Sequence, residues 1–513
     1  MSGPPTRSTE RLRLEAISKR FGATIALAEA GFEVRAGEIH ALLGENGAGK
    51  TTLMNVLSGL YHADAGRIWL DGRPAEIAEP RDAIRHRIGM VHQHFELIPP
   101  LTALENVIIG QEGSTLLLRR ERQARGVAAL AARFGFEVDL RAPVAALGLA
   151  DQQKVEILKA IFRGVDILIL DEPTTVLTPQ EADALLRTLR TMASEGLSVV
   201  FISHKIHEVL GHCDRATVMR AGRSVGTVDA SATTEQALVE MMIGERVART
   251  AAPAEREVDD TVLLRVDDVT VAGRGGLPAV SHARFSIGRG EVVGLAGVDG
   301  NGQRELVEAI VGLRRVTGGR VELGGRNVTT TAVGDRLAQG LAYIPEDRLG
   351  DGALPSMSVA ENLFLGVHRL ARGGGLTYRP AAIRAGAAAP VRDYAIRGTA
   401  TTPLGMLSGG NIQKVLIARA LAVAGHGDTP LVVAHNPTRG LDVRTTEFVR
   451  RCLVDVSRRR GGVFLVSSDL DELMQLAHRI LVLFRGAIVA DLPSTAFDAY
   501  EIGRLMTGAA ARA

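Results

Sequence analysis

The residues best suited to chemistry sit in one short stretch, "GENGAGKTT", Gly44 to Thr52. Gly44, Gly49, Lys50 and Thr51 fit the spacing G-x-x-x-x-G-K-[ST]. A ring of backbone N–H groups ahead of a helix holds phosphate oxygens, and glycines let the backbone come close. Lys50 supplies a point charge for β/γ-phosphates, and the Thr51 hydroxyl can ligate Mg²⁺. Further along, "ILILDEPT" carries Asp171 and Glu172 at the end of an apolar run. A carboxylate there can hold a Mg²⁺ shell, directly or through water. The next one can orient or deprotonate an attacking water. "FISHK" places His204 where it could hydrogen-bond a γ-phosphate or that water. Two residues say less by themselves. Gln93, in "GMVHQHFELIPP", is a neutral amide between apolar runs. Phe21, in "SKRFGATIAL", could stack on an adenine face or equally fill a core.

Such groups need a scaffold that delivers them together. "EIHALLG" reads as a short buried strand and "KTTLMNVLSGL" has helical spacing. That is the strand–loop–helix context a phosphate loop requires. "VDILILDEP" reads as a strand ending in two acids, and "LSVVFISH" as one ending in a histidine. Functional residues at the carboxyl ends of strands are the pattern of open α/β sheets.

Length and composition bound the rest. A chain of 513 residues accommodates about two to four domains. With 60 basic and 58 acidic residues, no basic excess points to nucleic acid. Cys213 and Cys452 are far apart and suit a reducing compartment better than a disulfide framework. The stretch "MSGPPTRSTERLRLEA" lacks an apolar run of signal-peptide length, and "ILVLF" at 480–484 is far below a membrane span. The expectation is a cytoplasmic chain whose membrane contacts come through partners.

The chain also repeats itself. "ALLGENGAGKTTL" from Ala41 returns as "GLAGVDGNGQREL" from Gly294, with Gly44 and Gly297 253 positions apart. "LGLADQQKVEILKAI" from Leu147 returns as "LSGGNIQKVLIARAL" from Leu407, 260 positions on. Pro173 and Pro437, and His204 and Ser468, are each 264 apart. Repeats of this size are whole domains, beyond the 20–50 residues of solenoid units. The seam is the Ala-rich, charged "RVARTAAPAEREVDD", Arg246 to Asp260. The Gly/Ala-rich stretch 371–390 reads as a surface excursion in the second copy.

The order "GENGAGKTT", Gln93, "DQQKVEILKAI", "ILILDEPT" and "FISHK", with "LSGGNIQK" in the second copy, resembles the ATP-binding subunits of ABC transporters. The resemblance runs from about Leu12 to Thr507. The tandem form, with "GVDGNGQ", "AYIPEDR" and "PTRGLD", is similar to importers of simple sugars and nucleosides, and Met90–Gly110 is most similar to the nucleoside-type branch. It implies two P-loop NTPase domains at 11–247 and 261–508, joined by a linker at 248–260. Each would have a RecA-like α/β core, an antiparallel β subdomain and a helical subdomain. ATP would lie in an intramolecular sandwich, between the loop of one copy and the LSGG signature of the other. The resemblance assigns hydrolysis to Lys50, Glu172 and His204. It assigns nucleotide contacts to Phe21, Gly44, Glu45, Asn46, Gly47, Ala48, Gly49, Thr51, Thr52, Gln93 and Asp171, with Ser408, Gly409, Gly410 and Gln413 from the signature. Mg²⁺ would fall to Thr51, Gln93 and Asp171, partly through water. It further implies two transmembrane permease subunits, an extracytoplasmic binding protein reached through them, no nucleic acid, and a peripheral position on the cytoplasmic face of a bacterial membrane. Permease contacts are expected near His94–Leu101 and Asp347–Leu354. Other readings are a simple-sugar importer and a soluble tandem ATPase acting on ribosomes or DNA.

Under that geometry the losses are one-sided. Lys50 faces an intact "LSGGN", Leu407 to Asn411. Gln303 and Arg304 stand where Lys50 and Thr51 would be, opposite "LGLAD", in which Gly148 and Ala150 replace signature residues. His435, Asn436 and Ser468 replace Asp171, Glu172 and His204, and Glu346 stands near the place of Gln93. Drift of lysine to arginine does not explain this. The chain has only 6 lysines, yet Lys50 is one of them, and position 303 is an uncharged glutamine. The expectation is one hydrolytic site and one degenerate site.

Overall fold

The computed structural model describes residues 10–22, 24–45, 47–92, 95–110, 120–175, 177–203, 205–244, 261–273, 277–298, 300–367 and 379–508. Asn46, Gln93, His94, His204 and the linker 248–260 lie outside the described residues. The chain forms two compact units, Met1–Val247 and Ala248–Ala513.

The first unit is built on a six-stranded sheet in the order Arg223–Asp229, Arg215–Arg220, Ile39–Gly44, Ser198–Ile202, Ile167–Asp171, Ile88–Val91. The last five are parallel, and Arg223–Asp229 runs antiparallel at the edge. Every residue of Ile39–Gly44, Ile167–Asp171 and Ser198–Ile202 is buried. Helices cover both faces of such a sheet, so its strands read as unbroken apolar runs and not as alternation. Each fully buried Leu or Ile contributes roughly 1.5–3 kcal/mol. The register decides what this core positions. Ile202 pairs with Leu42 on one side and with Asp171 on the other. The phosphate loop and the acidic strand end therefore emerge from one edge of the sheet. The strand Ser198–Ile202 stops two residues before His204, because the Ser203 hydroxyl turns to accept the Lys205 N–H at 3.0 Å.

Two smaller layers complete the unit. Thr24–Arg35, Glu10–Phe21, Ala65–Leu70 and Arg73–Ala75 form an antiparallel sheet. The helices Ala103–Ile108, Arg120–Arg133 and Leu149–Phe162 pack together as a helical subdomain. Its first helix opens on a capping box. Thr102 accepts from the Glu105 N–H at 3.2 Å, and the Glu105 carboxylate accepts the Thr102 N–H at 3.0 Å.

The second unit repeats this plan. Its main sheet runs Leu341–Ile344, Leu431–His435, Gly462–Val466, Val292–Ala296, Arg479–Phe484, Ala487–Pro493. Its antiparallel sheet runs Pro278–Gly288, Val262–Ala272, Val316–Leu323, Arg326–Asn327. The helices Val359–Phe364, Pro380–Asp393 and Gly409–Ala424 form the helical subdomain. Within 371–390, residues from Pro380 onward form a largely exposed helix, in keeping with a surface position, with Ala387 fully buried. Proline at the first helical turn loses no intrahelical bond, and a run of alanines favours helix over loop. Among the described residues, no helix is long and apolar enough to cross a membrane.

Candidate active site

The loop after Ile39–Gly44 is shaped by its glycines. Gly47 and Gly49 take φ of 82° and 101°, in the left-handed range that side chains resist. A Cβ on Gly49 would lie 2.8 Å from the Ala26 carbonyl, so the turn cannot admit one. Lys50 begins the helix Lys50–Leu57 and folds back over the loop. Its Nζ donates to the Gly44 carbonyl at 2.7 Å and the Glu45 carbonyl at 3.2 Å. Burial pushes the Lys50 ammonium down, against the opposing pull of Glu172, Asp171 and Glu45. Ala48 is buried under the loop, and Thr52 is half-buried on the helix.

The Thr51 hydroxyl donates to Asp171 Oδ2 at 3.4 Å, closing the gap between loop and acidic strand. Burial raises the Asp171 carboxyl, and the charge of Glu172 raises it further, while Lys50 and Thr51 oppose. A hydroxyl and a carboxylate side by side are the hard oxygen donors that Mg²⁺ takes together with water and phosphate oxygens. The residues present therefore fit that ion. Glu172 follows at φ 50°, and its carboxylate accepts the Thr175 hydroxyl at 3.3 Å. Phe21 is exposed at the end of Glu10–Phe21, with Tyr61 edge-on at 5.1 Å and Lys19 Nζ 5.6 Å from its ring centre. That excludes a core role and leaves its face open to a planar ligand.

In the second unit the same loop survives as a shape without its chemistry. Gly300 and Gly302 take φ of 90° and 108°, close to Gly47 and Gly49. Gln303 Nε2 donates to the Val298 carbonyl at 2.9 Å, the equivalent of the bond from Lys50 to Glu45. The amide thus keeps the brace and discards the charge. Arg304 turns away to Glu308 at 2.7 Å and Asp351 at 3.1 Å.

The strand end is rewired as well. Asn436 Nδ2 donates to Glu346 Oε1 at 2.9 Å, and Asn436 Oδ1 accepts the Ser468 N–H at 2.8 Å. Arg439 pairs with Glu346, and His435 Nε2 lies 3.7 Å from it. Burial pushes the Glu346 carboxyl up, but His435 and Arg439 bring it below its ordinary range. The Glu346 carboxylate, two residues past the strand Leu341–Ile344, is thereby taken up by protein groups. Arg348 ends "AYIPEDR" and Arg439 lies in "PTRGLD", but the sequence assigned neither of them a partner. Only the repeat, set against Glu172 and its surroundings, could have marked Arg439.

The signature of the second copy caps the helix Gly409–Ala424. Ser408 sits at the N-cap, with its hydroxyl accepting from Asn411 Nδ2 at 2.9 Å. A Cβ on Gly410 would stand 3.1 Å from the Thr445 hydroxyl. Gln413 is fully buried, and its Oε1 accepts from Arg348 Nε at 2.9 Å. In the first copy, Gly148 holds the N-cap of Leu149–Phe162, and a Cβ there would meet open space.

A family model described as ABC transporter matches residues 27–175 and again 280–426. The chain is 41% identical to the glucose import ATP-binding protein TsgD13 of Haloferax volcanii, across 97% of this chain and 96% of that protein. It is 37% identical to the nucleoside import ATP-binding protein NupA of Lactococcus lactis, across 96% and 97%. It is 38% identical to the ribose import ATP-binding protein RbsA 1 of Burkholderia thailandensis, across 96% of both chains. Among solved structures, archaeal aABCE1, a ribosome recycling factor in complex with the stalk protein aP1, aligns over 93% of this chain and 90% of that one. Its TM-score is 0.63 and its identity 18%, a likeness of fold alone.

Proposed function

Because the chain belongs to the ABC transporter family, whose ATP-binding subunits are ATPases, we propose that it drives an importer through one hydrolytic nucleotide site and holds a second, degenerate one. The observation that carries this reading is the contrast at the two loops: Lys50 bonds Gly44 and Glu45 with Asp171 and Glu172 near it, whereas the uncharged Gln303 repeats only the bond, to Val298.

In the hydrolytic site Lys50 leaves its loop carbonyls for the β/γ-phosphates, joined by the amides of residues 44–52. Thr51 and Asp171, with Gln93, would hold Mg²⁺, which when bound would offset charge on the phosphate oxygens. Phe21 stacks on the base. Glu172 orients the attacking water and draws its proton, with His204 fixing the γ-phosphate side. Ser408, Gly409 and Gly410 close on the γ-phosphate from the other copy, with Gln413 bracing their helix. Closure is the event coupled to two permease subunits at the membrane's cytoplasmic face. An extracytoplasmic binding protein delivers cargo to them.

The cargo class is a nucleoside or a simple sugar. The names of relatives span glucose, nucleosides and ribose, while the resemblance of Met90–Gly110 lies with nucleosides. Uptake of labelled nucleosides, pentoses and hexoses by a deletion strain tests it. Loss of one class identifies the cargo, and loss of none removes the importer reading. Hydrolysis itself is tested by Glu172→Gln, which should bind ATP and turn over very slowly.

A further inference from the structure

Glu208 is buried, at 4% exposure, one helical turn into Ile206–His212, and the chemistry above does not use it. Its Oε2 accepts two hydroxyls, from Thr174 at 2.8 Å and from Ser203 at 3.2 Å. Thr174 lies two residues after Glu172, and Ser203 immediately precedes His204. Both are buried. Lys205 completes the knot, with Nζ 3.5 Å from Glu208 Oε1 and 3.2 Å from the Thr174 carbonyl. One carboxylate therefore ties the turn bearing Glu172 to the turn that follows Ser198–Ile202.

The second copy keeps the knot. Glu472, fully buried, accepts the Ser467 hydroxyl at 2.7 Å and is also hydrogen-bonded by Thr438. Arg450 lies 3.6 Å from it in the role of Lys205. There the turn carries Asn436, whose amide cannot take a proton from water.

We propose that Glu208 is a positioning residue for ATP hydrolysis: through Thr174 and Ser203 it holds the Glu172 turn at a fixed distance from the adjoining turn. This rests on the assignment of Glu172 above. A carboxylate that must meet a water in line with a phosphate loses rate for small displacements, while ATP affinity, set at the loop, does not change.

The test is a matched pair in the full-length protein assembled with its permease. Glu208→Gln should lower kcat about tenfold with KM for ATP changed less than about twofold. Glu472→Gln, which alters the same kind of knot behind the degenerate site, should leave kcat near wild type. Thermal unfolding of both reports the structural cost. Equal kcat losses in the two variants, or a rise in KM at unchanged kcat, would overturn the proposal. Should Glu208→Gln not fold, Thr174→Val and Ser203→Ala carry the same test, each expected to lower kcat alone, and normal kcat in both overturns it. Glu172→Gln runs alongside. Normal turnover by that variant overturns the Glu172 assignment and the positioning proposal with it. An inactive Glu172→Gln beside an unaffected Glu208→Gln overturns only the positioning.

Discussion

Glu172 and Asn436 occupy the same left-handed backbone position, at φ 50° and 45°. Each donates its N–H to the neighbouring strand, Glu172 to Ile202 at 2.9 Å and Asn436 to Val466 at 2.7 Å. The turn is inherited by both copies. Only the side chain differs. Asparagine tolerates this conformation well, and glutamate does not.

Glu172→Asn should therefore separate stability from activity. The variant relieves backbone strain and removes a charge that raises Asp171. Stability should rise by about 0.5–1 kcal/mol, read as an unfolding midpoint higher by about 1–3 °C. ATP hydrolysis should be lost. A midpoint that falls would show that Glu172 is not strained by its φ.

Lys50→Gln and Lys50→Ala should differ in stability and agree in activity. Glutamine can repeat the bond that Gln303 makes to Val298, whereas alanine leaves the loop carbonyls unbraced. The alanine variant should be less stable than the glutamine variant by about 1 kcal/mol. Each should lose at least about 100-fold in hydrolysis, since neither carries charge to the phosphates. Denaturant titration and phosphate release measure the two effects. Substantial turnover by Lys50→Gln would refute the charge argument.

Ser408→Arg and Gly148→Arg probe the signature positions of the two copies. A Cβ at Gly148 meets open space and its φ of −65° suits any residue, so the backbone tolerates a side chain there. If one site hydrolyses, Ser408→Arg should reduce steady-state ATPase of the assembled transporter about 100-fold, and Gly148→Arg should change it little. Equal losses would mean that both sites contribute.

Acid stability should depend on Glu38. Its carboxylate accepts from Arg215 Nε at 2.8 Å and from His40 Nδ1 at 2.8 Å, and His40 Nε2 is hydrogen-bonded to the Thr217 hydroxyl at 2.7 Å. A carboxylate can only accept, so Nδ1 carries a proton toward Glu38, and burial holds the His40 pKa down. Burial alone would raise the Glu38 carboxyl, but these bonds outweigh it and bring it to about 2, from 4.5 when exposed. The folded pKa is depressed, so the stabilisation is fully present above pH 4.5 and fades as pH falls toward 2. It amounts to at most about 3 kcal/mol. Unfolding of wild type and Glu38→Gln from pH 6 to pH 3 measures it. The gap between the two should narrow with acid, and a constant gap would contradict the linkage.

Much of the site was readable before any coordinates. The spacing from Gly44 to Thr51, the acids after "ILIL" and the repeat at 253 to 264 positions located the loop, the strand ends and the degenerate copy. These signals are local, since glycine conformation, strand burial and helix starts depend on neighbours in sequence. At 380–390 the composition marked a surface stretch, and it is one, but the packing of Ala387 depends on partners that the local sequence does not name.

By itself, then, the sequence determined which groups are present and in which copy: one lysine, two acids and a histidine in the first, none of them in the second. Tertiary structure alone decided what those groups touch. Asp171 meets Thr51 across 120 positions because strand register sets their strand ends on one edge. Glu346 is hydrogen-bonded by residues about 90 positions away, and Glu208 takes hydroxyls from two separate turns. A carboxylate bears no mark in sequence of its eventual partners. Burial and hydrogen-bond geometry, which exist only once the sheet has formed, give each of these acids different partners.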